Sequence, residues 1–201
     1  ADDTRWRLIL PSGLRNLPAD LVAIIILVFL TIAAVFYLDP DHPIAGIADS
    51  KKLTPRRRER LLGELEAAGT PFAVGWAAPD EVDRLNVLQA TFRAMERAVA
   101  ALPAGVAPLP IRIDGNAAPA GLPGAECWVG GDGRDDGIAA ASIVAKVLRD
   151  ALMVRLDEWF PGYELGGHKG YGTAAHRDAL GRLGPSPAHR RSFRSTAPLF
   201  D

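Results

Sequence analysis

The 201-residue chain has one cysteine, Cys127, so it has no internal disulfide, and nothing in it demands an oxidising compartment. The four histidines, His42, His168, His176 and His189, are far apart and match no zinc spacing, and Cys127 offers them no thiolate partner. No Walker loop and no G-x-G-x-x-G phosphate loop is present, which removes the common nucleotide-binding readings. Net charge is missing too. Lys and Arg number 23 against 24 Asp and Glu, so no global basic field attracts nucleic acid, and any such site must come from local clustering. There is no internal repeat and no low-complexity linker. The remaining material suits one domain, or one domain and an appendage, long enough to bury a full core.

Charge is wholly absent from residues 21–38, LVAIIILVFLTIAAVFYL. As a helix this run reaches about 27 Å, close to the hydrocarbon thickness of a bilayer. Length therefore predicts a membrane-spanning or signal-anchor helix. The run is also rich in β-branched residues, which suits buried strands. It is longer than the apolar core of a cleavable signal peptide. Basic residues flank it: Arg5, Arg7 and Arg15 before, and Lys51, Lys52 and Arg56 to Arg58 after. The larger second cluster places the C-terminal part on the cytoplasmic side.

Beyond residue 38 strands and helices alternate, as in an α/β domain. Thr54-Pro55 opens a helix to about Ala68 that stops at Gly69. FAVGWAA (72–78) reads as a strand. Pro79 starts one helix carrying Val82, Leu85, Leu88, Phe92 and Met95 at helical spacing, with Asn86 a surface or capping residue on it. PIRID (110–114) and ECWVG (126–130) read as strands. A long helix follows over about 138–159, then the loop GGHKGYG (166–172) and a last helix at about 173–183.

Asp114 ends the first of those two short strands and Asp132 follows the second. Carboxylates delivered by neighbouring strands, about 4.8 Å apart, can share a divalent cation; oxygen ligands suit Mg²⁺ or Mn²⁺. Turn chemistry also explains both Asp-Gly pairs. HKGYG places two basic side chains and an aromatic ring in a glycine-flanked loop that can approach a phosphate and stack on a base or sugar; a packed surface loop is the plainer account. DSKKL (49–53) with Arg56 to Arg58 and Arg60 forms a local basic patch, suited either to phosphates or to a solvated helix face.

ADSKKL, VGWAAPDEVDRLNVLQAT, IRIDGN, GDGRDDGIAAASIVAKVLRD, PGYELGGHKGYGTAAH and LGPSPAHRRSF stand here in an order and at separations that resemble ribonuclease HII. The resemblance covers residues 35–196, leaving 1–34 as a non-family segment and 197–201 as a tail. It implies an RNase H-like fold: a mixed sheet flanked by helices, with a helical C-terminal extension. It implies hydrolysis, by two-metal catalysis with Mg²⁺ or Mn²⁺, of RNA in RNA–DNA hybrids and at ribonucleotides embedded in duplex DNA. It implies a cytoplasmic location, and no obligate protein partner is evident in the sequence. By motif, Asp114 and Asp132 correspond to the third and fourth metal-binding carboxylates. Tyr171 corresponds to the tyrosine at the RNA–DNA junction, and Lys51, Ser142, Lys146 and Lys169 to positions near the substrate backbone.

The family opens with a strand carrying Asp-Glu-Ala-Gly-Arg-Gly, which supplies the first two metal ligands and helps to read the 2′-hydroxyl. That string is absent here. Counting back from the matching AAVFYLDPDHPI, the family's Asp falls on Asp20, a candidate ligand, but Leu21 stands where Glu belongs. Val22, Ala23, Ile24 and Ile25 follow. The first catalytic strand is thus replaced by apolar sequence, while 31–38 still suits the second strand. The resulting expectation is a crippled nuclease. The alternative is a non-catalytic, membrane-tethered nucleic-acid-binding relic, or a chimeric or truncated product.

Overall fold

A computed structural model of the chain describes residues 31–36, 46–47, 53–103 and 110–192. Strand β1 (Thr31–Phe36) pairs antiparallel with β2 (Phe72–Ala77), with Thr31 opposite Ala77 and Phe36 opposite Phe72. This corrects the reading of 21–38 as a single spanning helix, because residues 31–36 of it are strand. β-Branched residues suit that state, and the neighbouring strand satisfies the backbone hydrogen bonds. No helix among the described residues is long and apolar enough to cross a membrane. Residues 21–30 lie outside the described residues.

Helix α1 (Pro55–Ala67) begins where the sequence places it: Thr54 Oγ1 accepts from the Arg57 N–H, and Pro55 occupies the first turn. Arg58, Leu61, Leu62 and Leu65 are buried along one face. The helix closes at Gly69, whose φ of +67° suits a residue without Cβ.

The alternation of β2 sorts its side chains into two layers. Phe72 and Val74 join Leu62 and Leu65 of α1 and Val144 and Leu148 of α4 (Asp136–Trp159). On the other face Ala77 meets Val82, Ala90 and Ala94. The last two belong to α3 (Val87–Ala100), which with α2 (Pro79–Leu85) covers that side. The layers are therefore helix, sheet, helix. The approach of α3 is close because the contact residues are small. A Cβ at Gly75 would press on the Ala94 carbonyl oxygen and lie 2.5 Å from the Ala98 nitrogen.

The helix expected from Pro79 onward is two helices. Asn86 interrupts it with φ +69° and caps α3 through its Oδ1, which accepts from the Gln89 N–H at 3.1 Å. Asparagine tolerates this left-handed φ better than most residues. The break also redirects the apolar face: Leu85 and Leu88 are exposed, and Ala90, Ala94 and Ala98 form the packing stripe.

Glu81 ties the two helices to β2. It accepts from the Ala78 N–H and, at 2.8 and 2.6 Å, from Arg97, which also donates to the Trp76 carbonyl. Hydrogen bonding from Arg97 holds the Glu81 carboxyl at about 2, below its usual 4.5. A carboxyl depressed in the folded state stabilises above its ordinary pKa, and that contribution is lost as pH falls through the window from 4.5 to 2. Glu81→Gln is accordingly expected to flatten the loss of thermal stability on acidification through this window; an unchanged acid limb in Tm against pH would contradict it.

Strands β3 (Arg112–Asp114) and β4 (Glu126–Trp128) pair parallel as a separate two-stranded ladder. Among the described residues the strands thus form two separate pairs, one antiparallel and one parallel, where a single mixed sheet was expected. Helix α4 follows β4 after a 3₁₀ turn at Gly131–Gly133. The C-terminal extension is α5 (Leu165–His168) and α6 (Ala174–Leu183), whose Leu165, Ala179 and Leu180 pack with Met153, Leu156, Tyr163 and Ala188.

Candidate active site

Asp114 is the last residue of β3, and parallel pairing sets it opposite Trp128 at the end of β4. Four residues later comes Asp132, in the 3₁₀ turn and 7 % exposed. The two carboxylates therefore share the C-terminal end of one strand pair. Asp114 Oδ1 accepts from the Gly131 N–H at 2.9 Å, fastening the residue before Asp132 to the end of β3. A Cβ at Gly131 would lie 2.6 Å from Ile138 Cδ1, so a side chain there would require the end of that isoleucine to shift. Asp135 caps α4 by accepting from the Ile138 N–H and pairs with Arg112 at 2.7 Å.

A second cluster lies along α4. Ser142, Lys146 and Arg149 recur at helical spacing and share a face. Lys146 Nζ bonds Asp150 at 2.7 Å and stands 5.5 Å from the centre of the Tyr171 ring. The Arg149 guanidinium lies 4.7 Å from the same ring and donates to the Lys169 carbonyl at 2.9 Å. Buried Arg58 on α1 approaches Asp150 at 3.7 Å. The expected substrate residues Lys146, Lys169 and Tyr171 thus meet around Arg149, with Ser142 one turn earlier and Tyr171 56 % exposed. Lys169 takes φ +53° and Gly170 +76°, the turn that brings the loop back over the helix. From Asp136 to Lys146 the helix rises about 15 Å, which separates the carboxylates from the ring cluster. Asp20 and Lys51 lie outside the described residues.

Sequence reading missed two features. Arg149 sits inside VLRD, which reads as an ordinary ion-pairing stretch in the middle of the long helix. The histidines, far apart in the chain, converge: His168 and His176 stack at 4.3 Å between centroids, and His176 Nε2 meets His189 Nε2 at 3.1 Å. Burial and the neighbouring His176 push His189 down to about 4. All three form bonds to backbone atoms within the fold.

Asp114 and Asp132 are hard oxygen donors that fit a single divalent cation of the Mg²⁺ or Mn²⁺ type, which accepts one or two carboxylates and completes its shell with water. Among the described residues no third His, Cys, Asp or Glu joins them in a metal-binding group.

The ribonuclease HII family model matches residues 29–196. The chain belongs to the ribonuclease HII family. A relative named ribonuclease HII from Halorhodospira halophila (strain DSM 244 / SL1) is 52 % identical over 154 residues, 76 % of this chain and 78 % of that protein. The ribonuclease H2 structure from Pyrococcus horikoshii OT3 superposes with a TM-score of 0.63 at 23 % identity, over 77 % of this chain and 80 % of that one. The ribonuclease HII in the PCNA complex from Archaeoglobus fulgidus gives 0.58 at 22 %, over 81 % and 93 %. These likenesses establish the RNase H-like α/β fold. Ribonuclease HII is a hydrolase of the endonuclease class, and β1 falls within the family match.

Proposed function

We propose that this ribonuclease HII binds RNA–DNA hybrids and duplex DNA with embedded ribonucleotides, and that it hydrolyses the RNA strand weakly. The carrying observation is the bond from the Gly131 N–H to Asp114 Oδ1, which holds the turn of Asp132 at the end of β3, with the Lys146–Arg149–Tyr171 cluster farther along the helix that follows. In this reading Asp114 and Asp132 hold Mg²⁺ or Mn²⁺. When bound, such a cation supplies activation of a water and stabilisation of the leaving oxygen. Tyr171 packs its exposed ring on the sugar at the junction. Lys146, Lys169 and Ser142 face the substrate backbone, as does Lys51 by motif. Cytoplasmic location agrees with an exposed free thiol at Cys127.

Weakness is proposed because the two carboxylates are half the family's set of four, and Leu21 stands where the second ligand belongs. Asp20 is a remaining candidate by position alone. Nucleic-acid binding without turnover is the second reading, favoured by the lack of a third metal-binding side chain at Asp114 and Asp132 among the described residues. The full chain, incubated with Mn²⁺ and a DNA duplex bearing one ribonucleotide, is expected to bind it and to cut slowly. The residual cutting should disappear in Asp114→Ala and Asp132→Ala. Robust turnover by the unaltered chain would overturn the claim of a crippled site, and cutting that survives both substitutions would remove these residues from the reaction.

A further inference from the structure

Three imidazoles lie beneath the loop that carries Tyr171, and their hydrogen bonds fix every proton. The backbone N–H groups of Gly170 and Ser186 can only donate, so His168 Nδ1 and His189 Nδ1 accept, at 3.2 and 3.0 Å. The carbonyls of Tyr163 and Tyr171 can only accept, so His168 Nε2 and His176 Nδ1 carry protons, at 2.7 and 3.0 Å. One proton fills the 3.1 Å gap between His176 and His189, and it sits on His189 Nε2. An added proton on His176 would set two N–H groups face to face. An added proton on His189 would turn Nδ1 against the Ser186 N–H. With these bonds made, His176 is neutral and faces no acceptor for a second ring proton, whereas a second proton on His189 finds only Ser186 Oγ, at 2.8 Å from Nδ1.

The line continues outward. Ser186 Oγ lies 2.8 Å from His189 Nδ1. The segment that holds His189 is itself pinned to α2, where Asp83 accepts from the Arg191 and Ser192 N–H groups at 2.9 Å each. The groups nearest the pair are His168, stacked on His176, and Tyr163, whose ring centre lies 5.1 Å from His189 and whose hydroxyl donates to the Gly184 carbonyl. No carboxylate among the described residues pairs with either ring. The Tyr171 backbone is thus held by an imidazole that is oriented by a second imidazole from the C-terminal segment.

We propose that His176 and His189 are positioning residues for Tyr171, coupling the C-terminal segment to the ribonucleotide-reading loop and releasing that loop when His176 takes up a proton. The substrate side of this inference rests on the role proposed above for Tyr171; the positioning does not. Burial lowers the proton affinity of both rings, so the loop stays fastened at neutral pH and loosens only in acid.

Amide exchange on the full chain, corrected for intrinsic rates, tests the positioning directly. In His176→Phe at pH 7, exchange at Tyr171 and Thr173 is expected to rise about tenfold, the scale of one hydrogen bond's net worth, while Ile143 to Leu148 in α4 hold their rates. The milder His189→Asn, whose amide reaches Ser186 but not His176, and the unaltered chain moved from pH 7 to 4.5, should loosen the same loop if His176→Phe fails to fold. Unchanged loop exchange in the folded variants and in acid overturns the proposal. Binding to a duplex with one ribonucleotide, against the same duplex in all-DNA form, gives the functional arm. The ribonucleotide preference is expected to fall in His176→Phe, to return in His176→Asn, whose amide N–H can replace Nδ1–H, and to fall no further in His176→Phe combined with Tyr171→Ala. Additive losses would overturn the coupling. If Tyr171→Ala alone keeps the preference, the substrate role of Tyr171 is wrong, and the exchange rates alone then uphold or overturn the positioning.

Discussion

Leu21→Glu, Val22→Ala, Ala23→Gly, Ile24→Arg and Ile25→Gly together, with Asp20 kept, are expected to raise cleavage of a ribonucleotide-containing duplex by on the order of a hundredfold or more, the scale on which one fixed charge-stabilising group acts. These substitutions write the family's opening string at the position to which the sequence register assigns it. The physical reason is ligand number. Two carboxylates leave most of a cation's shell to water and hold it loosely, whereas added carboxylates supply fixed negative charge and set its position. Initial rates in Mn²⁺ and in Mg²⁺ measure the gain. The same variant with Asp132→Asn should lose it, since Asp132 stays a ligand in either case. An unchanged rate in a folded variant would mean that the missing pair does not limit this chain.

The second large effect concerns stability. Gly75→Ala is expected to lower Tm by roughly 6–12 °C, from about 3 kcal/mol of overpacking at about 2–4 °C per kcal/mol for a chain of this size. The added methyl would meet the backbone of α3 at Ala94 and Ala98, not the end of a mobile side chain, so relief requires the whole helix to move off the sheet. Gly63→Ala is the internal comparison. It lies within α1 with nothing within 4 Å of its would-be Cβ, so the better helix propensity of alanine should raise stability by about 0.5–1 kcal/mol. Thermal denaturation followed by circular dichroism separates the two. Equal Tm values for Gly75→Ala and the unaltered chain would refute the close packing of α3 on β2.

Signals local to the chain were readable in the sequence. Thr54-Pro55 announced α1 because capping chemistry acts within three residues. FAVGWA announced β2, because a strand covered on both faces reads as a continuous apolar run. Asp114 and Asp132 were found because strand ends deliver side chains to one edge. Three features needed the fold. The apolar run could not declare itself helix or strand from hydropathy, and only its register against β2 makes 31–36 a strand. Asn86 was recognisable as a capping residue, but the break that exposes Leu85 and Leu88 depends on its positive φ. The histidines matched no sequence spacing because their neighbourhood is made by the return of the C-terminal segment over the α5–α6 loop.

Helix α4 begins beside Asp132 and carries Ser142, Lys146 and Arg149 on a later face, so it sets the phase between the two halves of the site as well as the distance. One residue added or removed between Asp136 and Lys146 would turn the basic face by about 100° and shift it by about 1.5 Å. Metal end and ring cluster would then point in different directions, although each remained intact. A length change in this stretch of α4 is therefore expected to cost the site more than a change of side chain.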